Sequence, residues 1–250
     1  SSFDSTAVRN ETVKVFQSLR EIPREEVSEF AVRGQYTTSV IDGEIIPGYR
    51  EEEGVPDDSR IDTFAAVKVF IDNWRWGGVP FYIRAGKRLP TRVTEVAIHF
   101  KPTPHFLFAK ESKESGGLNQ LIMRIQPNEG IVLKFALKVP GAGFHVQNVN
   151  MDFHYSELSN TRVASAYERL LLDCMLGDST LYARGDAVEA CWRFVDPILQ
   201  EWQNNPELKV HGYPAGTWGP REANALFHEH GVEWRYPCKN LVDDGLVCEF

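Results

Sequence analysis

Four cations stand close together in this sequence. Arg84, Lys87, Arg88 and Arg92 fall within nine positions. Between positions 73 and 94 there are five basic residues and no acidic one, although the whole chain carries a net charge of -8. The local run is therefore opposite in sign to its background. Arg84 lies on an alternating segment that runs out at Gly86, and Lys87-Arg88 follow at once. Cations just past a strand end, beside a flexible glycine, suit a small dianion such as a phosphate ester. A solvated strand end with scattered basic residues is the alternative. Further on, Arg124 and Gln126 share one face of a strand, and Lys134 sits on the next strand. If Arg84 and Lys87 reach that same face, several donors converge on it. Burying such a cluster unpaired is expensive, and an anionic ligand or ion pairs to Asp152 or Glu95 would offset the cost.

Several elements must position these residues. Residues 67 to 71 and 81 to 85 alternate in period two, joined by a turn through Trp74, Trp76, Gly77 and Gly78. Pro80 can open the second strand, where an N–H is least missed. Val96, Ile98 and Phe100 make another strand face. Leu121, Met123 and Ile125 lead through Pro127-Asn128-Glu129-Gly130 into Ile131, Leu133, Phe135 and Leu137, which reads as a hairpin. Residues 27 to 36 read as a strand, Asp42-Gly43 as a turn, residues 47 to 58 as a solvated acidic loop, and Met151, Phe153 and Tyr155 as one more short strand.

Helical spacing begins with Val13, Phe16 and Leu19 and returns after position 164. Tyr167, Leu170, Leu171, Cys174 and Met175 form one stripe, closed by Gly177. Val188, Trp192, Val195, Leu199 and Trp202 form a second, and residues 212 to 220 read as a loop before a last helix from Pro220. Strands first and helices after predict an α+β domain over residues 1 to 250, with a large, mostly antiparallel sheet and helices on one face.

Composition excludes several function classes. A pI near 5.4 speaks against nucleic acid as a partner and against a polybasic membrane anchor. No apolar run is long enough for a transmembrane helix. Cys174, Cys191, Cys238 and Cys248 form no CxxC, so free thiols and a reducing, cytoplasmic setting are expected; a Cys238–Cys248 pair is the alternative, which their spacing does not show. His228-Glu229-His230 does not place two histidines on one helical face, so no metal site is expected. His154-Tyr155 reads as strand, not as a catalytic base. No G-x-G-x-x-G, P-loop or G-x-S-x-G is present. The chain starts without Met and reads as cut from something longer.

The segments Val32-Arg33-Gly34-Gln35-Tyr36, Thr63-Phe64-Ala65-Ala66, Asn73-Trp74-Arg75-Trp76-Gly77-Gly78-Val79-Pro80-Phe81, Gly86-Lys87-Arg88-Leu89-Pro90, Arg124-Ile125-Gln126-Pro127-Asn128-Glu129, Ala166-Tyr167-Glu168-Arg169-Leu170-Leu171-Leu172-Asp173 and Ala215-Gly216-Thr217-Trp218-Gly219-Pro220 resemble the glucose-6-phosphate dehydrogenase family, in order across almost the whole chain. The Trp-Arg-Trp and Gly-Thr-Trp-Gly-Pro forms resemble its bacterial-type branch. The resemblance implies NADP-dependent oxidation of glucose 6-phosphate to 6-phosphogluconolactone. It covers only the later part of the family pattern. The nucleotide fingerprint and the R-I-D-H-Y-L-G-K-E segment, with its base and first phosphate ligands, have no counterpart here. No catalytic residue is therefore expected in this chain, and the chain alone is expected to be inactive.

Lys87 and Arg92 match the family's substrate-binding cations, and Gln126 matches a glutamine near the same pocket. Some members hold a second, structural NADP. Arg84, Arg124, Lys134 and Asp152 match positions of that site. Val93, Ala97 and Trp218 stand where members with the site carry basic residues. Losing three cations removes most of a phosphate clamp's electrostatics, so the structural NADP is expected to be absent. The resemblance also implies a homodimer or tetramer formed through the sheet. A non-catalytic sugar-phosphate-binding or oligomerisation module of the same fold is the alternative.

Overall fold

The structure is a computed structural model that describes residues 4–101, 119–127, 129–141, 146–157, 166–228 and 232–237. The hairpin residue Asn128, most of the segment after Lys101, Glu229-His230, Cys238 and Cys248 lie outside them. The chain forms two compact units, Ser1–Arg88 with Ala164–Leu226 and Leu89–Val163 with Phe227–Phe250.

The first unit is built on β1 (Ala31–Thr37), which pairs antiparallel with β4 (Phe64–Phe70), itself antiparallel to β5 (Pro80–Gly86). The other edge of β1 pairs in parallel with β10 (His211–Pro214), giving the order β10-β1-β4-β5. A small hairpin joins β2 (Ser39–Ile41) to β3 (Glu44–Ile46), and its Asp42-Gly43 turn has positive φ at both residues, as a type I′ connection requires. The β4–β5 turn is held by Asn73, whose side-chain oxygen accepts from the Arg75 and Trp76 amides at 3.0 and 2.9 Å. Pro80 does open β5, opposite Phe70.

Helices pack beside this sheet. Asp4 caps α1 (Ser5–Gln17), accepting from the Ala7 amide at 2.8 Å. Arg20 then binds Asp72 at the end of β4 through two hydrogen bonds, at 2.6 and 3.0 Å. The core gathers Ile22, from the segment before Pro23, with Val27, Ala31, Ile198 and Trp202 from α2 (Val27–Phe30), β1 and α4 (Gly185–Asn204). The sequence reading of residues 27 to 36 as one strand is corrected here. The stretch after Pro23 turns helical through Phe30 before the strand starts, and that turn buries Val27 completely.

The face of α4 is corrected too. Its buried residues are Ala187, Ala190, Ile198 and Trp202, whereas Val188, Trp192 and Leu199 of the expected stripe are exposed. Small alanines let the helix approach closely, so the larger side chains mark a second apolar face. The stripe of α3 (Ala166–Leu176) is likewise helical in spacing but exposed at Tyr167, Leu171 and Met175.

The second unit is an antiparallel meander of β6 (Thr94–His99), β7 (Gln120–Gln126), β8 (Gly130–Lys138) and β9 (Val146–His154). The architecture is α+β, as expected. The strands do not form one large sheet, however. Among the described residues they fall into two sheets of four strands plus the hairpin, and β10 supplies the one parallel pairing. The expected last helix is a 3₁₀ turn, Arg221–Leu226, and Tyr155 begins a 3₁₀ turn instead of ending β9.

The acidic loop is exposed at Glu51, Glu53, Asp57 and Asp58, as expected, whereas Glu52 is half-buried. Residues Tyr49–Glu51 form a 3₁₀ turn, and Glu51 is hydrogen-bonded by Thr38. Glu52 accepts from the Tyr36 hydroxyl at 2.6 Å and lies 3.3 Å from Arg88. The Tyr36 hydroxyl is pushed up to about 12, first by burial and then by the Glu52 carboxylate. Glu52 itself is held below its ordinary 4.5 by the Tyr36 hydrogen bond and then by Arg88.

Two outcomes follow from this packing. Gly219 has φ +101, and a Cβ there would meet the Phe64 ring at 2.2 Å, so Gly219→Ala is expected to lower the unfolding free energy in urea. Strain and overpacking of this kind cost about 1–3 kcal/mol. For Glu52 the depressed folded value means that its stabilisation is complete above the ordinary 4.5 and is lost as pH falls through the lower folded value. Thermal unfolding followed from pH 7 to pH 3 should therefore show a smaller acid-side loss in Glu52→Gln than in the parent chain.

Candidate functional site

Lys87 stands one residue past β5, where the 72–92 stretch leaves the sheet. Its backbone is fixed on both sides. The Lys87 amide donates to the Thr63 carbonyl at 2.8 Å, and its carbonyl accepts from the Tyr213 hydroxyl at 2.8 Å. The next carbonyl, of Arg88, accepts from the Gly216 amide at 2.7 Å. The Gly-Thr-Trp-Gly-Pro segment and β10 thus hold the strand exit in place. The Lys87 side chain is exposed, and its ammonium meets no acidic partner among the described residues.

Arg88 is not part of a shared cluster with Lys87. It adopts φ 52, and its guanidinium turns to Glu52 and lies 6.0 Å from the Tyr36 ring centroid. Arg84 is also engaged. Its guanidinium stacks 4.9 Å from the Trp218 ring centroid and donates to the Trp218 carbonyl at 3.3 Å. Of the first unit's cations in this run, Lys87 keeps the most readily offered charge.

The other candidates belong to the second unit. Gln126 pairs with Thr94 at one end of the β6–β7 ladder, and Arg92 lies two residues before Thr94. Arg92 and Gln126 therefore share one end of this sheet, and both are exposed. Register places Arg124 beside Glu95 and Gly130, Lys134 beside Gln120 and Asn150, and Asp152 beside Val132. Opposed residues in an antiparallel ladder point to one face. Arg124, Lys134 and Asp152 therefore share a face, together with Gln126, Glu95 and His99. Ala97 lies on it too, opposite Ile122. Glu95 accepts from Arg235 at 2.7 Å, and Asp152 lies 3.6 Å from His154.

The opposite face is apolar from edge to edge. Ile98, Leu121, Leu133 and Met151 form one row across four strands, and Val96, Met123, Ile131 and Phe153 form the next. Met151 is 63% exposed, Leu137 51% and Ile125 49%.

The residues that sequence reasoning missed are Thr63, Tyr213 and Glu52, which hold Lys87 and Arg88. Four-residue β10 carries no alternation of its own and ends in proline, so nothing local marked it as a strand. Among the described residues no group of histidine, cysteine and acidic side chains could hold a metal. No helix among them is long and apolar enough to cross a membrane.

Comparison with known proteins bears on this arrangement. Residues 1–235 match the model of the glucose-6-phosphate dehydrogenase C-terminal domain. The glucose-6-phosphate 1-dehydrogenase of Treponema pallidum is 50% identical over 245 residues, covering 98% of this chain and 47% of that protein. That of Aggregatibacter actinomycetemcomitans is 50% identical over 234 residues, covering 94% and 46%. Among solved structures, a glucose-6-phosphate dehydrogenase in complex with its substrate glucose-6-phosphate superposes with a TM-score of 0.79 at 34% identity, covering 94% of this chain and 46% of that one. The Mycobacterium avium enzyme gives 0.74 at 34% identity, with the same coverage. The chain spans about half the length of the curated relatives it matches. It belongs to the glucose-6-phosphate dehydrogenase family, whose C-terminal domain it matches.

Proposed function

We propose that this chain is the substrate-binding and dimerising part of an enzyme that oxidises glucose 6-phosphate to 6-phosphogluconolactone with NADP. The observation that carries the reading is Lys87, an exposed ammonium on a backbone pinned at its amide and its carbonyl, with no acidic partner among the described residues. A lysine so held is a point charge for a phosphate ester. In the second unit, Arg92 and Gln126 share one exposed end of the sheet, and their assignment to substrate rests on the family resemblance. NADP, when bound, takes the hydride from the sugar. The residues of this chain bind and orient; the base and the first phosphate ligands of the family segment have no counterpart in it. The chain alone is therefore expected to form no NADPH.

A structural NADP does not fit the residues present. In the first unit Arg84 is stacked on Trp218, and in the second the uncharged Ala97 stands on the face that carries Arg124 and Lys134. The apolar face of the second sheet supports a homodimer formed through that sheet, because a patch of this kind is costly to leave in water. The free thiols of Cys174 and Cys191 suit a reducing, cytoplasmic setting.

Two measurements test this. Titration of the chain with glucose 6-phosphate by calorimetry should give binding that Lys87→Ala weakens about ten-fold or more, as expected for a charge-assisted contact. Binding that Lys87→Ala leaves unchanged would remove Lys87 from the site. Sedimentation velocity should show a dimer that Met151→Lys converts to monomer. A dimer that persists in the variant would move the interface elsewhere.

A further inference from the structure

One hydroxyl sits behind the site. Tyr213 is 1% exposed, and its oxygen lies 2.8 Å from the Lys87 carbonyl, 3.1 Å from the Thr63 hydroxyl and 3.2 Å from the Thr63 carbonyl. The Tyr36 amide donates to the Thr63 hydroxyl oxygen at 3.0 Å. The Tyr36 amide can only donate and the Lys87 carbonyl can only accept, and the Tyr213 oxygen lies closer to that carbonyl than to either Thr63 oxygen, so its one proton is assigned there. Tyr36 N–H donates to Thr63 Oγ1, Thr63 donates to the Tyr213 oxygen, and Tyr213 donates to the Lys87 carbonyl. Each hydroxyl donates once and accepts once. The chain runs from β1 to β10 and ends on the residue read above as the phosphate ligand.

We propose that Tyr213 is a positioning residue for substrate binding, fixing the backbone from which the Lys87 ammonium extends. The inference rests on the reading of Lys87 as a ligand of the sugar phosphate. Its basis is geometric. Lys87 stands beyond the last β4–β5 ladder pair, Phe64 with Gly86. There the carbonyl has the Tyr213 hydroxyl as its partner, and the amide has the Thr63 carbonyl. A charged group on a long side chain is placed only as well as its backbone is held. Thr63 and Tyr213 touch no proposed ligand and act through Lys87 alone.

Steady-state kinetics of the full-length polypeptide test this with Tyr213→Phe. The ring keeps its contacts with Phe64 and Tyr36, at centroid distances of 5.6 and 6.4 Å, so the variant removes the hydroxyl and little else. The KM for glucose 6-phosphate should rise about three- to ten-fold, the range of one lost hydrogen bond. The KM for NADP and kcat should hardly move. Added to Lys87→Ala, Tyr213→Phe should raise KM no further, because its effect passes through that lysine. Thr63→Val, which breaks the same chain one step earlier, should reproduce the rise, and Thr63→Ser should not. Thr63→Val decides the matter if Tyr213→Phe does not fold. A lowered melting temperature with KM unchanged would overturn the inference, as would an effect that multiplies in full with that of Lys87→Ala. If Lys87→Ala itself leaves KM unchanged, the reading of Lys87 fails and this inference fails with it.

Discussion

The first unit depends on a buried polar seam centred on Thr63. Thr63, at the threshold of β4, offers its carbonyl to Lys87 and its hydroxyl to Tyr36 and Tyr213. Those partners lie on β1, on β10 and past the end of β5. Buried polar groups must be paired, and a fully paired network specifies one arrangement where an apolar contact would tolerate several. The neighbouring apolar contacts, Phe64 against Tyr213 and Tyr36 against Tyr213, pack the seam. The hydroxyls set its register. A strand exit that carries a functional cation gains from this, because hydrophobic burial is non-directional and hydrogen bonds are not.

The second sheet divides its labour by face. The alternation of its strands places every other residue on one side. One side therefore collects Glu95, Arg124, Gln126, Lys134 and Asp152 around the buried Ile122 and Val132, and the other collects Ile98, Leu121, Leu133 and Met151. A one-residue slip in any strand would exchange the two sets, so the pattern that fixes the register also fixes which face is polar. Under the proposed function, the apolar side lies toward a second copy, which follows from the same period-two spacing.

Much of this was legible in the residues themselves. The β4–β5 hairpin is bounded by Asn73 and Pro80, whose local chemistry permits little else. The Asp42-Gly43 turn needs positive φ twice. The strands of the second sheet alternate cleanly. What escaped reading was non-local. β10 is four residues long and exists because β1 offers it an edge, so its pairing with residues more than 170 positions earlier leaves no local mark. Glu52 looked solvated among other acids, yet Tyr36 and Arg88 reach it from β1 and from beyond β5. Large side chains pointed to one face of α4, while Ala187 and Ala190 marked the side that is buried. Size signals apolarity in a sequence, but close approach is signalled by smallness.

The same cluster of cations also shows why counting charges is not the same as finding a site. Arg84, Lys87 and Arg88 lie within five positions, and charge alone would assign all three to one anion. Arg88 is drawn off by Glu52, and Arg84 is drawn off by the Trp218 ring and carbonyl. Stacking on an aromatic face stabilises a guanidinium without neutralising it, and it also desolvates one side of the group and restricts its direction. A phosphate clamp needs several cations whose donors are free to converge. Under the proposed function, Trp218 acts against a second dinucleotide because it holds Arg84 to the Gly-Thr-Trp-Gly-Pro segment. Lys87 has neither kind of partner among the described residues, which makes it the cation of this run best able to meet an anion from solution.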